Sequence, residues 1–143
     1  MGVSRIFWDT NLFIYLLEGS GELSHRTQEV LIRMAARKDV LITSTLTLGE
    51  ILVKPVETGQ PEVAARYERF LNSPGVELVN FDRAAARIYA TLRVDRTIRP
   101  PDAVQLSCAA AAGCNLFITN DGRLSQKNVA GVDFIVPLKQ AYL

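Results

Sequence analysis

The sequence predicts an α/β fold, a mostly parallel sheet covered by helices on both faces. Short apolar runs of strand length recur along the chain, and the first and third run into residues that form turns or cap helices. The segments between them carry helical spacing rather than alternation, and strands alternating with helices are the pattern of a parallel sheet. At 143 residues, 48% hydrophobic and 22% charged, the chain can bury a core as one domain, residues 1–143, without covalent staples.

In order, residues 3–8 form an apolar run that ends at Asp9-Thr10-Asn11, three turn and N-cap formers, and so predict a strand followed by a helix over residues 12–17. Gly19-Ser20-Gly21 breaks that helix, and a second runs over 24–37 with Val30, Leu31, Met34 and Ala35 at helical spacing. Residues 40–43 predict the second strand. A third helix is expected over 45–53, stopped before Pro55, and a fourth over 61–71 with Pro61 near its first turn. Residues 76–81 predict the third strand, and Asp82 caps an amphipathic helix over 83–94. After Arg99-Pro100-Pro101 comes a helix over 102–112 ended by Gly113, then strands over 115–119 and 134–136.

Composition removes several function classes. Sixteen Lys and Arg against fifteen Asp and Glu give a formal charge of +1, too little to grip nucleic acid by bulk electrostatics, so any such contact must use local patches. No apolar run reaches the roughly 20 residues that span a bilayer, and Met1-Gly2-Val3-Ser4-Arg5 does not lead into a secretory pattern. The expectation is a cytoplasmic protein without membrane association. Cys108 and Cys114, six apart and without further metal-ligand neighbours, read as small buried hydrophobes.

The acidic residues are more informative. In open parallel sheets ligands bind beyond the carboxyl ends of the strands. Asp9 and Asp121 follow such strands and Asp102 opens a helix, so three carboxylates distant in sequence are expected at one rim. Glu50 is the one charge between Val40 and Val53. A carboxylate among Leu46, Leu48, Ile51 and Leu52 calls for a partner, and Lys54 at i+4 is the ordinary one. Each acid alone has a plain explanation in capping, a turn or the helix dipole. Four in one cleft would raise one another's pKa values, and a hard cation such as Mg²⁺ or Mn²⁺ would hold them ionised.

Taken together, Ile6-Phe7-Trp8-Asp9-Thr10-Asn11, Thr47-Leu48-Gly49-Glu50-Ile51-Leu52, Arg99-Pro100-Pro101-Asp102-Ala103-Val104-Gln105-Leu106 and Ile118-Thr119-Asn120-Asp121 resemble the PIN-domain ribonucleases, in particular the VapC-like toxins of bacterial type II toxin–antitoxin pairs. The likeness spans nearly the whole chain in the family's order and spacing. It implies a three-layer α/β/α sandwich and a Mg²⁺- or Mn²⁺-dependent endoribonuclease. Asp9, Glu50, Asp102 and Asp121 would be its catalytic and metal-site carboxylates, with Asn11 and Thr119 as polar supports. It also implies an RNA substrate, a cognate antitoxin and a homodimer.

Substrate phosphates could meet Arg93, Arg96 or Arg99 before Asp102, or Arg123 and Lys127 after Asp121; of these Arg99 and Arg123 are the chosen candidates, against the plain reading of solvated charges. Trp8 and Tyr15 could stack on bases, although aromatics near strands usually pack in cores. His25, the single histidine, reads as structural or solvated. A haloacid-dehalogenase-type phosphatase would need an Asp where Asn11 stands, and a receiver domain would need paired acids after the first strand. The remaining alternative is a non-catalytic RNA- or protein-binding module of the same fold.

Overall fold

The computed structural model describes residues 3–143; Met1 and Gly2, the first residues of the segment expected to lack a secretory pattern, lie outside it. Five strands, β1 (Arg5–Trp8), β2 (Val40–Ser44), β3 (Val76–Val79), β4 (Leu116–Thr119) and β5 (Phe134–Pro137), form one sheet in the order β3-β2-β1-β4-β5. Every pairing is parallel. Six α-helices connect them: α1 (Thr10–Leu17), α2 (Glu22–Arg37), α3 (Thr45–Glu57), α4 (Pro61–Leu71), α5 (Arg83–Leu92) and α6 (Pro100–Ala111).

The period-two geometry of a strand divides the core into two layers. Ile6, Trp8, Leu41 and Ile118 point to one face and pack with Leu12, Phe13, Val30, Met34, Ile51 and Tyr67 from α1 to α4. Phe7, Ile42 and Phe117 point to the other and pack with Ala85, Ala103, Leu106 and Ala109 from α5 and α6. The Phe7 and Phe117 rings stack with centroids 5.1 Å apart across the β1–β4 pair. The result is the three-layer α/β/α arrangement. Among the described residues no helix is long and apolar enough to cross a membrane.

Several boundaries differ from the sequence expectation. α1 begins at Thr10 and takes in Asn11, because the Asp9 carboxylate caps it. α3 continues through Pro55 to Glu57; Pro55 is buried in a helix that packs on α4, and that burial outweighs the one lost backbone hydrogen bond. α6 starts at Pro100, which places Asp102 as its third residue and uses both prolines where the N–H groups would be unpaired. β3 stops at Val79 and α5 at Leu92. Asp82 caps α5 as expected, accepting from Ala85 N at 2.9 Å. Two 3₁₀ turns, Leu124–Gln126 and Leu138–Gln140, are too short to leave a periodic signal.

The strand order reverses at β1, since β2 and β3 are laid down on one side of it and β4 and β5 on the other. Beyond the carboxyl ends of β1 and β4 the connecting loops part in opposite directions, which opens a crevice there.

Candidate functional site

Asp9 follows the last residue of β1, and its N–H still pairs with the Ile118 carbonyl of β4 at 3.0 Å. It therefore sits at the reversal point by backbone geometry alone. Its Oδ1 accepts from Thr10 N at 2.9 Å and its Oδ2 from the Thr119 hydroxyl at 2.8 Å. The same hydroxyl oxygen accepts from Asp121 N at 3.0 Å, so Thr119, fully buried at the end of β4, joins Asp9 to Asp121. The expected turn at Asn120-Asp121-Gly122 also forms, with Asp121 Oδ1 accepting from Arg123 N at 2.9 Å. Both plain readings, a cap at Asp9 and a turn at Asp121, are present in the geometry without removing either acid from the cleft.

Glu50 and Asp102 come from helices. Ser44, Thr47 and Glu50 recur every third residue along α3 and its cap, which aligns them on one face. Ser44 caps the helix, and Glu50 Oε1 accepts from the Thr10 hydroxyl at 2.6 Å. The expectation for Glu50 needs correction. It is exposed rather than embedded among the leucines, and its hydrogen-bond partner is Thr10, not Lys54. Asp102 is half-buried in the first turn of α6, and no hydrogen bond reaches its carboxylate among the described residues.

One cleft of about 200 Å³ is lined by Asp9, Glu50, Asp102 and Asp121 together, with Asn11 and Thr119 also in its wall. As they are placed, no three His, Cys, Asp or Glu groups among the described residues stand close enough to enclose an ion. The acids therefore share a cleft without being drawn into a closed ligand shell. Asn11 is exposed and makes no side-chain hydrogen bond among the described residues.

Electrostatics separates the acids. Burial raises the Asp9 pKa above the usual carboxylate range, opposed by its bonds from Thr119 and Thr10 and reinforced by the charges of Asp102 and Glu50. Asp102 is also raised, first by burial and then by Asp121, against the lowering influence of Arg99 and Arg123. At Asp121 burial acts upward too, but the bonds and charge of Arg123 prevail and hold its carboxyl below the usual range.

The flanking cations divide. Arg123 approaches Asp121 Oδ2 at 3.5 Å and lines a second cavity of about 330 Å³ that shares Asp102 and Asp121 with the first. Arg99 is exposed beside Asp102, and Arg96 is exposed. Arg93 and Lys127 are engaged internally, Arg93 with the Ile98 carbonyl at 2.7 Å and Lys127 with Asp95 at 3.0 Å and Thr97 at 2.7 Å. Trp8 is fully buried and out of reach of a base. Tyr15 accepts from the Asn120 amide at 3.0 Å, beside Asp121. His25 is exposed on α2 and does not line the cleft.

The sequence reading missed the polar side chains beneath the acids. Gln105, 2% exposed, lies one turn beyond Asp102 and donates to Thr10 at 3.1 Å and Thr47 at 2.7 Å. It accepts from Ser44. An available signal was the single amide in an alanine-rich helix, spaced i+3 from Asp102.

Residues 6–130 match the model of the PIN domain. The chain belongs to the PIN-domain family. Three solved structures show the same PIN-type fold. A VapBC complex from Salmonella typhimurium bound to DNA is 21% identical with a TM-score of 0.74, covering 95% of this chain and 99% of the other. VapBC2 from Rickettsia felis, bound to a promoter DNA fragment, is 15% identical with a TM-score of 0.74, covering 93% and 98%. VapC20 from Mycobacterium tuberculosis, described as a sarcin–ricin loop cleaving toxin, is 18% identical with a TM-score of 0.69, covering 89% and 98%. A search of curated protein sequences returns no match for this PIN domain.

Proposed function

We propose that this PIN domain is a metal-dependent endoribonuclease that hydrolyses RNA phosphodiester bonds and serves as the toxin of a toxin–antitoxin pair. The observation that carries the reading is the arrival of Asp9, Glu50, Asp102 and Asp121, from four separate segments, in one cleft at the reversal point of the sheet. The toxin role draws on the fold shared with the VapBC complexes, and the choice of RNA on the likeness to VapC20.

The donor set fits Mg²⁺ or Mn²⁺. The four candidates are hard carboxylates, while Cys108 and Cys114 are buried in the core and His25 stands elsewhere. Burial and mutual repulsion raise Asp9 and Asp102, a cost that a bound cation removes. A divalent ion held by these acids supplies charge neutralisation at the scissile phosphate and a more acidic water.

The chain's own residues set the geometry. Thr119 and Thr10 N each hold one oxygen of Asp9, which stops the carboxylate from rotating. Arg123 and Arg99 place positive charge beside the acids, where it offsets their repulsion toward an incoming phosphodiester. The buried Ala103 and Leu106 lock the helix that carries Asp102 onto the sheet.

The test is incubation of total RNA, and in parallel single-stranded DNA, with purified protein in Mg²⁺ or Mn²⁺, with a chelator, and with Asp102→Asn. RNA fragments that vanish in the chelator and variant lanes support the reading. Intact RNA with folded, inhibitor-free protein sinks it in favour of a non-cutting binding module, and cutting confined to DNA overturns the substrate.

A further inference from the structure

The hydrogen bonds beneath the cleft have a direction. Glu50 Oε1 lies 2.6 Å from the Thr10 hydroxyl, and a carboxylate only accepts, so that contact uses the one hydroxyl proton. Toward Gln105 the Thr10 oxygen must then accept, which assigns the amide nitrogen of Gln105 to the 3.1 Å contact. The second amide proton goes to Thr47 at 2.7 Å, and the amide oxygen takes the Ser44 hydroxyl. Reversing the amide would set its oxygen against Thr10 and Thr47 and draw the Thr10 proton away from Glu50.

We propose that Gln105 is a positioning residue for Glu50: its amide fixes the direction of the Thr10 hydroxyl, and that hydroxyl holds one oxygen of Glu50 at the cleft. Glu50 needs such a hold. It is exposed, its side chain has several rotatable bonds, and its second oxygen has no protein partner among the described residues. The amide also ties two other segments to its own helix α6: Thr10 of α1, and Ser44 and Thr47 at the start of α3. Those segments carry Asp9, Glu50 and Asp102. The bonds to Ser44 and Thr47 hold the amide itself in this orientation, so its donor toward Thr10 is in place before any ion arrives.

This inference rests on the cleft being a divalent-cation site, and its test separates the two. Mn²⁺ binding to the purified, metal-stripped full chain is measured by the loss of the free-ion paramagnetic resonance signal, with melting temperatures taken in parallel. Thr10→Val and Gln105→Met are each expected to weaken Mn²⁺ binding about 10-fold, the lower end of what outer partners of metal ligands contribute. The double variant is expected to bind no more weakly than Thr10→Val alone, because Gln105 acts through Thr10. Thr10→Ser, which keeps the hydroxyl, should bind as the parent does, and Gln105→Met should still weaken it.

A Gln105→Met protein that melts lower but binds Mn²⁺ as the parent does would make Gln105 merely structural. Factors that multiply in the double variant would also overturn the proposal, since Gln105 would then act without Thr10. If Gln105→Met does not fold, Gln105→Asn keeps the amide but withdraws it from Thr10 by one methylene and must show the same weakening. A parent chain that binds no Mn²⁺ overturns the metal reading itself; intact parent binding, lost in Asp102→Asn but indifferent to Thr10 and Gln105, overturns this inference alone.

Discussion

Asp102, one of the proposed metal-site carboxylates, works against the fold that carries it. Its carboxylate is raised by burial and by Asp121 and Glu50, and no hydrogen bond from the described residues compensates it. Asp102→Asn should therefore abolish cleavage yet raise the melting temperature of the metal-free protein at pH 7, by a few degrees at most. The sign follows from proton binding. With raised pKa values at Asp9 and Asp102, the folded state binds more protons than the unfolded one between the ordinary and raised values. Rising pH through that window thus lowers the stability of the metal-free chain. Below the ordinary carboxylate range both states are protonated, and the gain from Asp102→Asn should disappear there in a series of melts across pH. Asp121, held low by Arg123, has the opposite sign: its stabilisation is present above the ordinary carboxylate pKa and is lost as pH falls through its lowered value. Thr119 lies between them. Thr119→Val leaves the Asp9 oxygen and the Asp121 N–H without their shared partner, and should cost about 1–3 kcal/mol in urea denaturation.

At the scale of elements, stability rests on packing between neighbouring strands and between the sheet side and α6. Phe7 and Phe117 stack between β1 and β4, the two strands that present Asp9 and Thr119, and Phe117→Ala should lose about 3–5 kcal/mol by urea titration. Gly131 precedes β5 at φ +95°, where a Cβ would meet Ala110 of α6 at 3.2 Å. Gly131→Ala combines that conformational strain with a close contact on a helix backbone, and should lower stability by about 1–3 kcal/mol in the same measurement. The strands were legible in the sequence because buried parallel strands are apolar along their length. The end of α3 was not, since Pro55 normally stops a helix and here the tertiary packing of a buried proline decides. The two 3₁₀ turns carry no periodicity to read.

The whole molecule explains which parts of the site could be foreseen. Asp9 and Asp121 follow strands and Asp102 opens a helix, so a parallel sheet by itself sends them to one edge. Glu50 shares their cleft for a reason other than the one expected, because its helix face is a polar row of Ser44, Thr47 and Glu50 rather than an apolar setting for a lone charge. Gln105 left a signal in the sequence, but its bonding to Thr10 and Thr47 did not, because the members lie up to 95 positions apart and only the closed fold brings them together. A cation bound to the folded state alone also stabilises the molecule by mass action, about 2.7 kcal/mol at a hundred times its dissociation constant. Mn²⁺ at that excess should raise the melting temperature of the parent chain and leave Asp102→Asn unmoved.

The central claim, that four separated carboxylates form one metal-binding centre, is tested most directly by anomalous X-ray scattering from crystals of the protein soaked in Mn²⁺. The account predicts anomalous density in the cleft between Asp9, Glu50, Asp102 and Asp121, absent from Asp102→Asn crystals soaked in the same way. Full occupancy elsewhere on the chain with an empty acidic cleft, or the same peak in the Asp102→Asn crystals, would contradict it.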